Sequence, residues 1–283
     1  MILKAAFALL LGAICMGALS ESAAAAECFR IFDATGYKNK PNLERYGIRP
    51  ASVIYTPQHY WPNRRHMERL PDRAVVEATV RRRVAVDKSP PLLIIDLEHW
   101  PNVGSDAVVA ETQRKYIALA QWTKNSAGGS AVGYYGVPPL RDYWRASKNP
   151  ASSEFRAWQA ENDRFQELAD VVDVLTPSLY TFYDDVDGWK RYAAANIGEA
   201  RRLAGGKPVY PFIWPQYHDS NRTLGGQQVP ASVWFQQLQT LAKLADGVII
   251  WSPPGWWDQS APWWIATRTF IDNAARAAPA ACH

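Results

Sequence analysis

Two carboxylates, Asp96 and Glu98, stand two residues apart at the end of the run Pro91-Leu92-Leu93-Ile94-Ile95-Asp96-Leu97-Glu98-His99-Trp100. The run is apolar enough to be a buried strand, and on a strand the side chains at i and i+2 point to the same face. The spacing predicts that both carboxyls share one small volume, where the apolar run gives out. Like charges held that close resist double ionisation, so one pKa rises and that group can act as an acid near neutral pH. Two carboxyls with separated pKa values are the equipment of glycoside hydrolysis. An isolated Asp-x-Glu triplet is also what a helix-capping Asp followed by a surface Glu looks like, so the surrounding elements have to decide.

Those elements follow from periodicity. Short apolar runs predict strands over Phe29–Phe32, Ser52–Tyr55, Leu92–Leu97, Ala131–Tyr135, Val172–Leu179, Pro208–Ile213 and Gly247–Trp251. Amphipathic stretches between them predict helices over Pro71–Val86, Asp106–Asn125, Ser153–Ala169, Gly188–Leu203 and Pro230–Ala245. Gly128-Gly129 and Gly205-Gly206 stand where C-terminal caps end helices. Strand and helix in alternation argue for a parallel sheet with crossover helices. Seven strands in one domain favour an α/β fold of the distorted (β/α)7 TIM-like barrel kind over an open sheet. No Gly-rich phosphate loop follows the first strand, which counts against a dinucleotide fold, and no cofactor is expected.

In such a barrel, ligands bind at the C-terminal ends of the strands. Polar and aromatic residues gather there: Asp33; Gln58, His59, Tyr60 and Trp61; Asp96 and Glu98; Tyr134 and Tyr135; Ser178, Tyr180 and Tyr183; Trp214 and Tyr217; Trp251 and Ser252. The chain holds 13 Trp, an excess that fits a cleft in which indole rings stack on the apolar faces of sugars.

The first 26 residues read as an export signal, with Lys4, an apolar core from Ala5 to Leu19 and the small residues Ala24-Ala25-Ala26 before Glu27. The apolar stretch is short for a membrane span and no comparable run follows. A secreted or periplasmic protein is expected, with residues 27–283 forming one barrel domain. Its two cysteines, Cys28 and Cys282, lie at the ends, and an oxidising compartment allows them to pair. Such a disulfide would close nearly the whole domain and contribute roughly 4 to 5 kcal/mol on chain-entropy grounds; the alternative is two free terminal thiols. The formal charge is +4. There is no basic tract of nucleic-acid character, because Arg81-Arg82-Arg83 falls within a helical pattern whose outer face it fits.

The motifs Ile-Asp-Leu-Glu-His-Trp (95–100), Gly-Tyr-Tyr-Gly-Val-Pro (133–138), Leu-Thr-Pro-Ser-Leu-Tyr (175–180) and Gly-Val-Ile-Ile-Trp-Ser (247–252) occur in the order seen in hyaluronidases, which the chain resembles over most of residues 48–252. The resemblance implies a seven-stranded distorted barrel and a polysaccharide substrate bearing N-acetylhexosamine. It implies that Glu98 is the general acid and later the base. It implies that Asp96 orients the substrate's own N-acetyl group, which attacks in place of an enzyme nucleophile. Tyr180 would hydrogen-bond the acetamido group and Trp251 would wall its pocket. Of Tyr134 and Tyr135, which alternate in direction, one would face the lumen. Trp214 and Tyr217 lie where the family also has aromatics. The chain departs from the animal enzymes at His99, where they carry Arg, at Pro101-Asn102, and in lacking a Cys after the Gly-Tyr-Tyr strand and a cysteine-rich C-terminal module.

Two other classes compete. A non-catalytic glycan-binding protein of the cell envelope could use the same scaffold, since fold does not fix function, although a binder has little use for both carboxyls. A metal hydrolase is disfavoured because His59, His66, His99, His218 and His283 show no paired ligand spacing. His99 beside the acidic pair is the one histidine placed to join it, more simply through a hydrogen bond than as a ligand.

Overall fold

The computed structural model describes residues 29–61 and 63–277. The expected signal segment and both Cys28 and Cys282 lie outside the described residues. The elements in chain order are β1 (Arg30–Lys38), β2 (Ile48–Tyr55), α1 (Thr56–His59), α2 (Arg73–Val86), β3 (Leu92–Asp96), α3 (Asp106–Ser126), β4 (Ala131–Tyr134), α4 (Ser153–Asp163), α5 (Gln166–Val171), α6 (Val186–Ala204), β5 (Phe212–Ile213), α7 (Ala231–Leu244), β6 (Gly247–Trp256) and α8 (Pro262–Ala277). Six strands form one parallel sheet in the order β4-β3-β2-β1-β6-β5.

The seventh expected strand, over Val172–Leu179, is a stave without a regular ladder. It is bridged to the chain just past β4 at Tyr135–Thr176 and to the β5 side at Leu175–Val209 and Ser178–Phe212. Asp173 N donates to the Val132 carbonyl (2.8 Å) and Tyr210 N to the Leu175 carbonyl (2.9 Å), so this segment joins the two edges of the sheet and completes a distorted β/α barrel. The irregularity follows from proline, which has no N–H to give a ladder. Pro177, Pro208 and Pro211 take part through their carbonyls alone, accepting from Phe212, Leu175 and Ile249 respectively. The same prolines cut β5 to two residues where the apolar run predicts six. Gly133 allows this stave to come close: a Cβ there would lie 2.8 Å from Val174 Cγ2 and 2.9 Å from its carbonyl oxygen.

Strand alternation sorts the core into two layers. Leu92 and Ile94 point into the lumen with Phe32, Val53, Val174, Tyr210, Phe212 and Ile249. Leu93 and Ile95 point outward to a larger layer beneath the helices, with Val80, Tyr116, Leu119, Trp158, Trp189 and Trp234. The helices start on side-chain caps, Asp72 for α2, Ser105 for α3 and Asp185 for α6, each accepting from backbone N–H groups of the first turn. Gly205, at φ 58°, ends α6 in the left-handed conformation that the Gly205-Gly206 pair predicts. The single helix expected over 153–169 is two, with Asn162 at the break donating to Trp158 O and accepting from Leu140 N. Helix α8 goes beyond the sequence expectation; it packs on α7, where Trp234 Nε1 donates to Thr267 Oγ1 (2.9 Å).

One flank of the wall is open. β1 pairs with β2 only from Ile31–Ile48 to Asp33–Pro50, while β1 continues along β6 to Lys38–Trp256 and β2 continues along β3 to Tyr55–Asp96. The two strands splay towards the mouth and leave a cavity of about 420 Å3 lined by Thr35, Lys40, Ser52, Tyr55, Arg83 and Asp87 among others. Backbone groups left without a ladder on this flank are met by side chains. Asp33 Oδ1 accepts from Thr35 N (3.0 Å), Lys40 Nζ donates to Thr35 O (2.7 Å) and to Asp33 Oδ2 (2.6 Å), and Arg83 Nη2 donates to Val53 O (3.0 Å). This is the accounting that buried backbone polar groups require.

Candidate active site

Asp96 is the last residue of β3, opposite Tyr55 of β2 in the ladder, and continues the lumen-facing series Leu92, Ile94. Its backbone carbonyl is fixed by Thr56 Oγ1 at 2.9 Å. Burial, and secondly the nearby charge of Glu98, pushes its pKa up from 3.8 to about 7. Glu98 lies just beyond the strand, is exposed, and lines a cavity of about 280 Å3 with Asn102, Tyr135, Arg141 and Ser178. The two carboxyls thus share one electrostatic volume, as their spacing predicts.

An aromatic wall faces the pair. Tyr180 stacks on Trp251 at 5.7 Å between ring centroids and 24°, meets Trp214 at 5.7 Å, and meets Tyr135 at 5.7 Å. Trp214 sits edge-on to Trp251 at 5.2 Å. Trp251 Nε1 donates to Tyr55 Oη (2.8 Å), a bond that crosses the open flank from β6 to β2. Tyr135 Oη and Ser178 Oγ are hydrogen-bonded at 3.0 Å. Burial raises the phenol of Tyr135 to about 12 and that of Tyr180 well above its ordinary value, the charge of Asp96 adding to the latter, so both stay protonated at neutral pH.

Four of the six expected substrate-binding aromatics, Tyr135, Tyr180, Trp214 and Trp251, are therefore brought together. Two are not. Tyr134 turns outward into the layer beneath the helices, where its hydroxyl donates to Tyr116 O (2.8 Å). Tyr217 also belongs to the outer layer and donates to Asp184 Oδ1 at 3.0 Å. Tyr60 and Trp61 join that layer as well, Ser252 receives Gly36 N at 3.2 Å, and Asp33 serves the splayed wall. His99 turns from the pair: its Nε2 donates to Met67 O (2.9 Å) and its ring meets Trp61 edge-on at 5.1 Å. Among the described residues no group of three or more His, Cys, Asp or Glu is arranged to hold a metal ion.

Sequence reasoning passed over Tyr55, Arg141, Phe182 and His218. Tyr55 shares strand parity with Ala51 and Val53, a signal available in the sequence once one inward residue of β2 is known. Arg141 lies over the ring of Phe182 at 5.8 Å, and Phe182 packs on His218 at 4.4 Å. These three come from separate loops, and no short-range spacing announces their meeting.

No protein-family model matches the chain, and no curated protein sequence does. Among solved structures it is similar to bee venom hyaluronidase, at 18% identity and a TM-score of 0.59, over 87% of this chain and 97% of that one. The same enzyme in complex with a hyaluronic acid tetramer matches at 17% identity and a TM-score of 0.59, over 87% and 96%. A fungal β-1,4-galactanase structure matches at 12% identity and a TM-score of 0.45, over 80% and 78%. For the hyaluronidase, at such identities, the likeness is one of fold, the TIM-like β/α barrel described above.

Proposed function

We propose that the chain is an exported glycoside hydrolase that cleaves an N-acetylhexosamine-containing polysaccharide by substrate-assisted retaining catalysis. The observation that carries this reading is the placement of Asp96 and Glu98 together at the barrel mouth, against a wall of Tyr135, Tyr180, Trp214 and Trp251. The fold shared with a hyaluronidase adds support, as does the bound hyaluronic acid tetramer in that protein's complex.

The chemistry follows from the unequal settings of the two carboxyls. Glu98, open to the cavity, is placed to protonate the glycosidic oxygen, and Asp96, at the floor, to accept the N–H of the acetamido group. Entry of that group favours Asp96 as the carboxylate, its proton passing to Glu98. The acetamido oxygen attacks the anomeric carbon while the leaving sugar departs with the proton of Glu98. Asp96 offsets the positive charge on the cyclic intermediate, in which the acetamido oxygen is bonded to the anomeric carbon. Glu98 then takes a proton from the water that opens it, restoring both carboxyls and retaining the anomeric configuration. Tyr180 would donate to the acetamido oxygen and Trp251 would cover its methyl group. Because the proton that Glu98 donates comes from Asp96, activity should fall as pH rises through about 7, the value to which Asp96 is lifted.

The test is incubation with chitin-type and hyaluronan-type polymers and with xylan and glucan, products being resolved by mass. Only the 2-acetamido polymers should be cut, and Glu98→Gln should lower turnover by about 10²- to 10⁴-fold with the fold unchanged. Efficient cleavage of xylan or glucan would rule out acetamido participation. Binding of a 2-acetamido polymer without any product would point instead to a glycan-binding protein.

A further inference from the structure

His218 stands where its tautomer can be deduced. Its Nδ1 lies 3.1 Å from the backbone N of Ser220 and 2.8 Å from Ser220 Oγ. A backbone N–H can only donate, so Nδ1 accepts, and the neutral ring carries its proton on Nε2. Burial first, then the charge of Arg141, lowers the pKa of His218, against opposing effects of Asp219 and Glu98, which keeps the ring neutral near pH 7. The ring is held in place by Phe182 at 4.4 Å, by Tyr180 at 6.2 Å and 29°, and by the edge of Trp214 at 6.0 Å, while His218 N donates to Thr181 O at 2.8 Å. Among the described residues Nε2 has no hydrogen-bond partner, and it is not among the buried unpartnered atoms.

The ring stands in the aromatic wall, within electrostatic reach of Glu98, with its Nε2–H open to solvent and to a ligand. We infer that His218 Nε2–H is a substrate-binding donor of the cleft, taking an oxygen of a sugar bound against the aromatic wall. This rests on the glycosidase reading above. It assigns the wall a neutral donor, suited to a hydroxyl or ring oxygen, in addition to the acidic group that protonates the bond. A neutral donor holds such an oxygen without placing a second cation beside Glu98.

Two amide substitutions separate the two ring nitrogens. In His218→Gln the side-chain amide reaches the position of Nε2 and restores the donor while losing the acceptor for Ser220. In His218→Asn the amide reaches only the position of Nδ1, keeping the Ser220 contact and losing the donor. Both are made in the active protein and in the Glu98→Gln background, with kcat and KM measured in the first and binding of chitin and hyaluronan tetrasaccharides measured by calorimetry in the second. His218→Asn should weaken tetrasaccharide binding and raise KM about tenfold, with kcat less affected, and His218→Gln should recover most of the loss. The opposite ranking, with Asn normal and Gln impaired, would assign His218 to supporting its loop and overturn the inference. Equal affinity in parent and both variants would overturn it too, while leaving the glycosidase reading standing. Absence of binding and cleavage by the parent protein would remove both.

Discussion

Asp96 keeps its proton to about pH 7 only because the fold buries it beside Glu98, whereas in the unfolded chain it titrates near 3.8. Between those values the native state binds more protons than the unfolded state, so this carboxyl makes stability fall as pH rises through the window. Asp96→Asn removes the ionisable group. The variant should gain roughly 2 to 4 kcal/mol over the parent near pH 8 and almost nothing near pH 4, while losing activity. Thermal unfolding at the two pH values checks this; an equal gain at both would show that Asp96 is not held protonated. At this scale much of the site was legible. Strand parity and motif order picked out Asp96, Glu98, Tyr180 and Trp251. Parity also puts Tyr217 opposite to Trp214 and His218 on the same side, because the offsets are three and four residues. Choosing Tyr135 over Tyr134 needed a fact from elsewhere in the chain, the approach of Val174 to Gly133.

Among the elements, the strands with clean apolar runs, the second half of β2, β3, β4 and the first half of β6, stand close to where the sequence put them. The segment 172–181 and β5 do not, since proline carbonyls can accept from a neighbour but proline nitrogens cannot donate. An apolar run is therefore a sound guide to burial there and a poor guide to ladder. The contact at Gly133 makes this stave testable. Gly133→Ala would put a methyl group against Val174 and its carbonyl, and should destabilise the protein by about 1 to 3 kcal/mol, measurable by urea unfolding. A variant as stable as the parent would mean that the stave gives way freely. Tryptophan, read from composition as cleft material, divides between two uses. Trp214 and Trp251 line the site, whereas Trp257, Trp263 and Trp264 cluster with Tyr37 and Tyr46 where α8 meets the barrel. The missing signal for α8 was the role of those rings as core.

For the molecule as a whole, the barrel was legible because alternation of strand and helix repeats along the chain and averages over local errors. What the alternation does not encode is that the first two staves part company. Around most of the ring, amides are protected by ladders that open together. Along the parted flank of β1 and β2 the backbone depends on single side chains: the Thr35 amide on Asp33, which Lys40 holds, and the carbonyls of Thr35 and Val53 on Lys40 and Arg83. Protection of that kind is lost one bond at a time, so the ring has a compliant sector beside a stiff remainder. Amide hydrogen exchange should show it: Thr35 should exchange faster than amides within β3, and Lys40→Met should speed Thr35 further while leaving β3 and β4 unchanged. Equal protection of Thr35 and β3 in the parent would mean the ring yields as one unit. Since the hydrogen bond from Trp251 to Tyr55 spans the same sector, the width of the cleft is set there by one indole and one phenol rather than by backbone.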